Sequence, residues 1–153
     1  MKYILSITIL LLLFFSVQGQ IAEGEDGLLY DQNNDLYTGV YVKKFENNKV
    51  KIKMTLKKGQ KHGYTSLYFK TGILKEKRSY KNNLMHGKWE TWNKTSVKIA
   101  EANYKNSKKH GKWFIWDDNG NLRYDMTYKN GKKTGTWYIY NENGDLISSK
   151  VYN

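Results

Sequence analysis

A glycine that returns every 24 residues constrains this chain more than any other feature. Gly39, Gly63, Gly87, Gly111 and Gly135 are evenly spaced, with no insertion among them. Other positions keep step with them. Two residues past each glycine stand Tyr41, Thr65, Trp89, Trp113 and Trp137; five past it stand Lys44, Tyr68, Trp92, Trp116 and Tyr140. Seventeen past it come Leu56, Tyr80, Tyr104, Tyr128 and Tyr152. A fixed period over five copies marks a repeat architecture, in which each unit packs chiefly on its neighbours.

Inside a copy, apolar residues recur at intervals of two, not of three and four, so the copies are strands rather than helices. Lys112 to Asp117 forms a first strand, Asp118-Asn119-Gly120 a turn and Leu122 to Tyr128 a second strand. A second turn, Lys129-Asn130-Gly131-Lys132, leads into the next copy. Asn-Gly between alternating runs is a strong hairpin signal because both residues tolerate positive φ. The middle copy departs from this, since Asn93-Lys94-Thr95-Ser96 lacks a turn glycine. Residues 20–27 read as a flexible entry, and Leu28 to Lys44 as a half repeat of strand, turn and strand. The predicted fold is all-β: an elongated antiparallel β-hairpin meander of about five repeats over residues 28–153.

A two-residue turn at Asn119-Gly120 sets Ile115 opposite Tyr124, Trp113 opposite Met126 and Gly111 opposite Tyr128. The glycine then leaves room for the tyrosine ring. One face reads Leu122, Tyr124, Met126, Tyr128 and, in the first full copy, Val50, Ile52, Met54, Leu56. The other carries aromatic rows from the first strands, such as Phe114 and Trp116, separated by polar rows from the second. The last strand, Leu146 to Tyr152, presents an open edge suited to self-association, which Lys150 opposes in part.

Residues 1–19 read as a signal peptide. A positive start, Met1-Lys2, precedes an apolar run from Ile4 to Val17, and Val17-Gln18-Gly19 offers a cleavage point. That run is shorter than the roughly 20 residues a membrane span requires. The expected location is therefore the periplasm, the cell surface or the medium. With no cysteine in the chain, stability rests on packing and strand pairing rather than on disulfides.

The string YKNGKKTGTWYIYNENGDL (Tyr128 to Leu146), echoed by YKNSKKHGKWFIWDDNGNL (Tyr104 to Leu122), resembles the variant MORN repeat of YwqK-type antitoxins. The resemblance covers roughly residues 28–153. It implies a β-hairpin array serving as a binding scaffold, with protein association, acidic phospholipid recognition or toxin neutralisation as the associated roles.

Residue chemistry points away from catalysis. His62, His86 and His110 hold equivalent positions in successive copies. Two strands apart places them about 10 Å from one another, while zinc needs its ligands at roughly 2 Å from one centre. They read as turn residues that pack on a ring or bond the backbone. No serine stands in a nucleophile context, and Asp117-Asp118 reads as a solvated turn pair. No enzyme activity, metal or cofactor is expected.

Charge carries the functional signal. The chain has a net charge of +12, and the period sorts it. The second-to-first turns hold Lys57, Lys58, Lys61, Lys81, Lys105, Lys108, Lys109, Lys129, Lys132 and Lys133 with no acid. The opposite turns hold Lys49, Lys70 and Lys94 against Glu46, Asp117, Asp118, Glu142 and Asp145. In a meander these sets lie along opposite long edges, so one rim is strongly cationic and draws anionic partners in a salt-dependent way. Outward aromatics Tyr68, Trp92, Phe114, Trp116, Tyr138 and Tyr140 form the second candidate contact surface. The expectation is an exported, non-enzymatic module that binds a protein or an anionic membrane or polymer surface; export disfavours nucleic acid as the partner.

Overall fold

The computed structural model describes residues 21–153, so the expected signal peptide at 1–19 lies outside the described residues. Every regular element among them is a strand. β1 (Ala22–Glu23) and β2 (Leu29–Tyr30) pair with each other. The remainder forms one sheet: β3 (Gly39–Lys44), β4 (Val50–Lys57), β5 (Gln60–Tyr68), β6 (Leu74–Lys81), β7 (Leu84–Trp92), β8 (Lys98–Lys105), β9 (Lys108–Lys109), β10 (Gly111–Trp116), β11 (Leu122–Lys129), β12 (Lys132–Lys133), β13 (Gly135–Tyr140) and β14 (Leu146–Tyr152). Successive long strands are antiparallel neighbours throughout, while short β9 and β12 pair with β8 and β11. The meander expected from the period is the fold.

The register follows the spacing. Gly111 lies opposite Tyr128, Trp113 opposite Met126 and Ile115 opposite Tyr124. Gly39, Gly63, Gly87 and Gly135 likewise oppose Leu56, Tyr80, Tyr104 and Tyr152. The reason for the glycine differs from the one expected. At Gly111 φ is +79°, and an added Cβ would meet only Asn103 Cβ, at 3.6 Å, with no atom of the tyrosine nearby. Backbone conformation, not room for a ring, demands glycine there.

Turn geometry also corrects the sequence reading. The loop over 117–121 is not a two-residue turn: Gly120 N–H donates to Asp117 O at 3.0 Å and Asp117 N–H to Asn121 O at 3.0 Å. Gly120 alone has positive φ, at 88°. The two-residue turns sit on the other rim, where both central residues are left-handed, as at Asn130 (50°) and Gly131 (90°). In the middle copy Ser96 takes the glycine's place at φ 66°. There Asn93 Oδ1 accepts the N–H groups of Thr95 and Val97, an Asx turn that holds the loop without glycine.

A bulge recurs at the end of each first strand. After Ile115 the register slips, so Trp116 opposes Leu122. Lys44, Tyr68, Trp92 and Tyr140 oppose Val50, Leu74, Lys98 and Leu146 in the same way. Opposed residues share a face, so Val50 and Leu122 leave the row of Ile52 and Tyr124 and join the face of Tyr68 and Trp116. A shallow hollow of about 760 Å³ lined by Lys44, Val50, Lys53 and Tyr68 reflects this placement.

The sheet is one layer thick, and few side chains are fully enclosed: Leu56 is 1% exposed, Met126 8% and Tyr128 9%. What replaces a two-layer core is a ladder of rings on one face, Tyr80, Trp89, Tyr104, Trp113, Tyr128, Trp137 and Tyr152. Successive centroids stand 4.8 to 5.5 Å apart, tilted or edge-on. Such pairs add about 0.5–1.5 kcal/mol each beyond burial. Each indole N–H is satisfied within the array: Trp89 donates to Ser79 O (3.0 Å), Trp113 to Asn103 O (2.9 Å) and Trp137 to Thr127 O (3.0 Å).

The N-terminal end is finished differently. Residues 21–27 of the segment expected as a flexible entry carry β1, whose pairing with β2 is supported by Asp26 accepting Leu28 N–H and Tyr30 O–H. The expected half repeat does not add a strand through β2. Instead, Leu29 N–H donates to Gly59 O (3.0 Å) and Tyr37 N–H to Leu29 O (2.9 Å), so this segment closes over the Lys58-Gly59 turn.

Candidate functional site

The lysine-bearing turns line one long edge, and the structure fixes them to each other. Gly59, Asn83, Ser107 and Gly131 donate their N–H groups to the carbonyls of Tyr37, Lys61, Met85 and Lys109, at 2.8 to 3.0 Å. Each turn is thereby tied to the strand of the preceding copy. A side chain adds a second tie at a constant offset of 20 residues. Thr38 Oγ1 accepts Lys58 N–H (2.9 Å), His62 and His86 meet Asn82 and Asn106 at 3.0 and 3.2 Å, and His110 Nδ1 accepts Asn130 N–H at 3.4 Å. The histidines are thus turn staples. Among the described residues no group of three or more His, Cys, Asp or Glu side chains is placed to hold a metal ion.

The ten rim lysines do not act alike. Lys57, Lys58, Lys81, Lys105, Lys108, Lys129 and Lys132 are exposed at the turns. Lys61 and Lys109, both half-buried, and Lys133, itself exposed, lie over rings of the ladder. Lys109 Nζ stands 4.4 Å from the Trp113 centroid and 4.9 Å from that of Tyr128, and Lys133 repeats this over Trp137 (4.6 Å) and Tyr152 (5.0 Å). Lys61 lies 5.6 Å from the Tyr80 ring. These three stabilise the fold through cation–π contact, which leaves seven for a partner.

On the opposite rim the charges divide along its length. The first three loops carry Lys49, Lys70 and Lys94 against Glu46, and the last two carry Asp117, Asp118, Glu142 and Asp145. Asp117 is engaged locally: the backbone N–H of Asn121, joined by that of Asn119, holds its carboxyl below the ordinary range.

Tyr68, Trp92, Phe114, Trp116, Tyr138 and Tyr140 are all half-buried on the face away from the ladder. Phe114 and Trp116 pack at 5.6 Å, and the bulges set Leu74, Leu122 and Leu146 beside Tyr68, Trp116 and Tyr140. Sequence reasoning missed the ion-pair network among them. Lys98 reaches Glu90 (2.7 Å) and Glu101 (2.5 Å), Lys88 reaches Glu101 (2.9 Å), and Lys112 reaches Asp125 (2.7 Å). The available signal was Glu90 opposite Glu101 in the hairpin register, two like charges that require cations beside them. Burial opposes the charge on Lys98, but Glu101 and Glu90 outweigh it and hold its pKa above the ordinary value.

No curated protein matches the chain. The MORN repeat variant, a motif that generally serves in protein or membrane binding, matches it at residues 61–82, 109–130 and 133–153.

Proposed function

We propose that this protein is an exported, non-catalytic binding module whose lysine rim engages an anionic partner. The observation that carries the reading is the tying of successive turns by backbone hydrogen bonds, which holds seven exposed lysines in line along a rigid edge. Rows such as Lys57, Lys81, Lys105 and Lys129 recur every second strand, about 10 Å apart. A fixed row of like charge raises a potential that attracts anions and weakens with salt. An acidic protein and an acidic lipid surface share this chemistry. Toxin neutralisation, implied by the resemblance, is the case in which the acidic protein is a toxin.

The test compares the wild-type protein with a variant carrying Lys57→Glu, Lys81→Glu, Lys105→Glu and Lys129→Glu. Probes are polyglutamate, and vesicles of phosphatidylcholine with or without phosphatidylglycerol. Salt-sensitive binding lost in the variant is expected; retention on polyglutamate alone assigns a protein partner, and on acidic vesicles alone a membrane. Equal binding by the two proteins, with both folded, overturns the reading.

A further inference from the structure

The two ends of the sheet are finished differently. At the first end, Leu36 and Tyr37, which lead into β3, are taken up by β2: Tyr30 bridges Leu36, and Tyr37 N–H donates to Leu29 O at 2.9 Å. Tyr37 O–H then donates to Val40 O (3.2 Å), engaging an acceptor of β3 itself. At the last end β14 pairs with β13 alone, and among the described residues no strand lies along its other side. Six of its seven residues are exposed. Val151 (68%) and Ile147 (60%) are the most exposed large apolar side chains among the described residues. Lys150, the expected deterrent to pairing, has its Nζ 5.5 Å from the Tyr152 ring.

The array shows what the bare edge of β14 offers. Asn103 O accepts the His110 N–H and the Trp113 indole, and Thr127 O accepts the Thr134 N–H and the Trp137 indole. In each case the carbonyl is aimed at the following copy. Asp125, two residues before Thr127, is opposite Tyr138 of the next strand. Ser149 and Val151 hold these positions one period later. Backbone groups alternate in direction along a strand, so those of Ser149 and Val151 point out of the sheet, while Ser148 and Lys150 face β13. An exposed apolar edge with free donors and acceptors is a template for another strand.

Charge selects the strand. A second copy related by a two-fold axis through Ser149 pairs β14 antiparallel with itself over its whole length, with Ile147 opposite Val151 and Ser149 opposite Ser149. The same rotation exchanges the long edges. The lysine turns of one copy then continue into the last two loops of the other, where Asp117, Asp118, Glu142 and Asp145 lie. Glu142 is 86% exposed, and Arg123, at 4.0 Å, is its one ion-pair partner among the described residues. Opposite charge therefore meets across the axis, and the uneven charge of that rim acquires a use. We infer that this protein forms a two-fold dimer by antiparallel pairing of β14 with β14 of a second copy, which joins the two meanders into one sheet. Dimer formation needs no anionic partner, so it is independent of the rim reading.

Sedimentation of the protein over about 1 to 500 µM should show a monomer–dimer equilibrium that stops at the dimer, since an isologous contact uses up both edges. Ser149→Lys puts like charges directly opposite each other and should weaken the dimer at least about fivefold, with the unfolding midpoint of the monomer unchanged. Glu142→Lys should also weaken it, and high salt should do the same. Ser149→Cys supplies a positive signal, because the natural chain has no cysteine. Residues directly opposite in an antiparallel pair stand about 4.5–5.5 Å apart at Cα, within disulfide reach. With oxidised glutathione taking up the two electrons, Ser149→Cys should cross-link to a dimer faster than Asn119→Cys, whose thiol lies in an exposed loop. A monomer at every concentration overturns the inference, as does growth past the dimer, which would mark head-to-tail joining. So does a folded Ser149→Lys protein that dimerises like wild type, a dimer indifferent to Glu142→Lys, or equal cross-linking of the two cysteine variants.

Discussion

His86 and Asn106 stand 20 residues apart in the chain and meet at 3.2 Å between Nδ1 and Oδ1. The pair joins a strand of one repeat to the turn of the next, and Thr38 with Lys58 does the same work at the same offset. His86→Ala should therefore lower stability by about 1 kcal/mol, the usual net worth of one hydrogen bond. His86→Thr should recover most of that loss. Urea unfolding of the three proteins checks it; a threonine variant as weak as the alanine one would refute the staple.

The ladder gives a graded expectation at Trp113. Its ring lies 5.2 Å from both Tyr104 and Tyr128, and its N–H is donated to Asn103 O. Trp113→Phe keeps a ring and loses the donor, while Asn103 O keeps the His110 N–H at 2.9 Å, for about 0.5–1 kcal/mol. Trp113→Ala also breaks the row, with a cost of about 3 kcal/mol. Equal midpoints for the two variants in thermal unfolding would remove the ladder from its place as the substitute core.

The period, the meander and the pairing of Trp113 with Met126 were legible because a repeat without insertions carries its own register. The bulge was not. Leu122 looks in sequence like a member of the row of Tyr124 and Met126, and the extra residue in each copy is hidden inside a constant 24-residue spacing. Turn types were hidden for a related reason: Asn119-Gly120 and Asn130-Gly131 are the same dipeptide, yet only the second has both residues left-handed. What separates them is strand register at the turn, a pairing property rather than a composition. On the rim, sequence placed the ten lysines on one edge, but could not show that Lys109 and Lys133 lie over rings, which depends on side-chain reach.

Equivalent glycines should differ in their tolerance of alanine. All pay for positive φ, about 1–2 kcal/mol for a residue with a Cβ. At Gly135 (φ +64°) nothing lies within 4 Å of the new atom, whereas at Gly87 (φ +87°) it would meet Ser79 Oγ at 3.2 Å. Gly87→Ala should be the more destabilising of the two. Comparing their unfolding midpoints decides this, and the reverse order would show that local packing does not govern these sites.

Acid should weaken the fold through Glu101. Burial pushes its carboxyl up, but hydrogen bonds from Lys98 and Lys88 outweigh this and hold it below the ordinary 4.5. A carboxyl depressed in the folded state contributes stability that is full above its unfolded pKa and is lost as pH falls through the folded one. The unfolding midpoint should therefore drop as the pH goes below about 4.5. In Glu101→Gln that dependence should flatten, with about 1 kcal/mol lost at neutral pH, because Lys98 keeps Glu90 as a partner. An unchanged acid limb in the variant would assign the pH dependence to other carboxylates.

Two rim lysines allow fold and binding to be separated. Lys109 lies over the rings of Trp113 and Tyr128, while Lys129 stands exposed beside the Asn130-Gly131 turn. Lys109→Gln should cost about 0.5–1 kcal/mol, since a half-exposed cation–π contact is exchanged for a neutral amide. Lys129→Gln should change stability by less than about 0.5 kcal/mol, as surface substitutions away from packing usually do. For polyglutamate or acidic vesicles the order reverses. Lys129 offers a free charge, so its loss should weaken binding and reduce the salt dependence, while loss of the ring-bound Lys109 should matter less. If both substitutions weakened binding equally and left stability unchanged, the distinction between lysines that hold the ladder and lysines that meet a partner would fail.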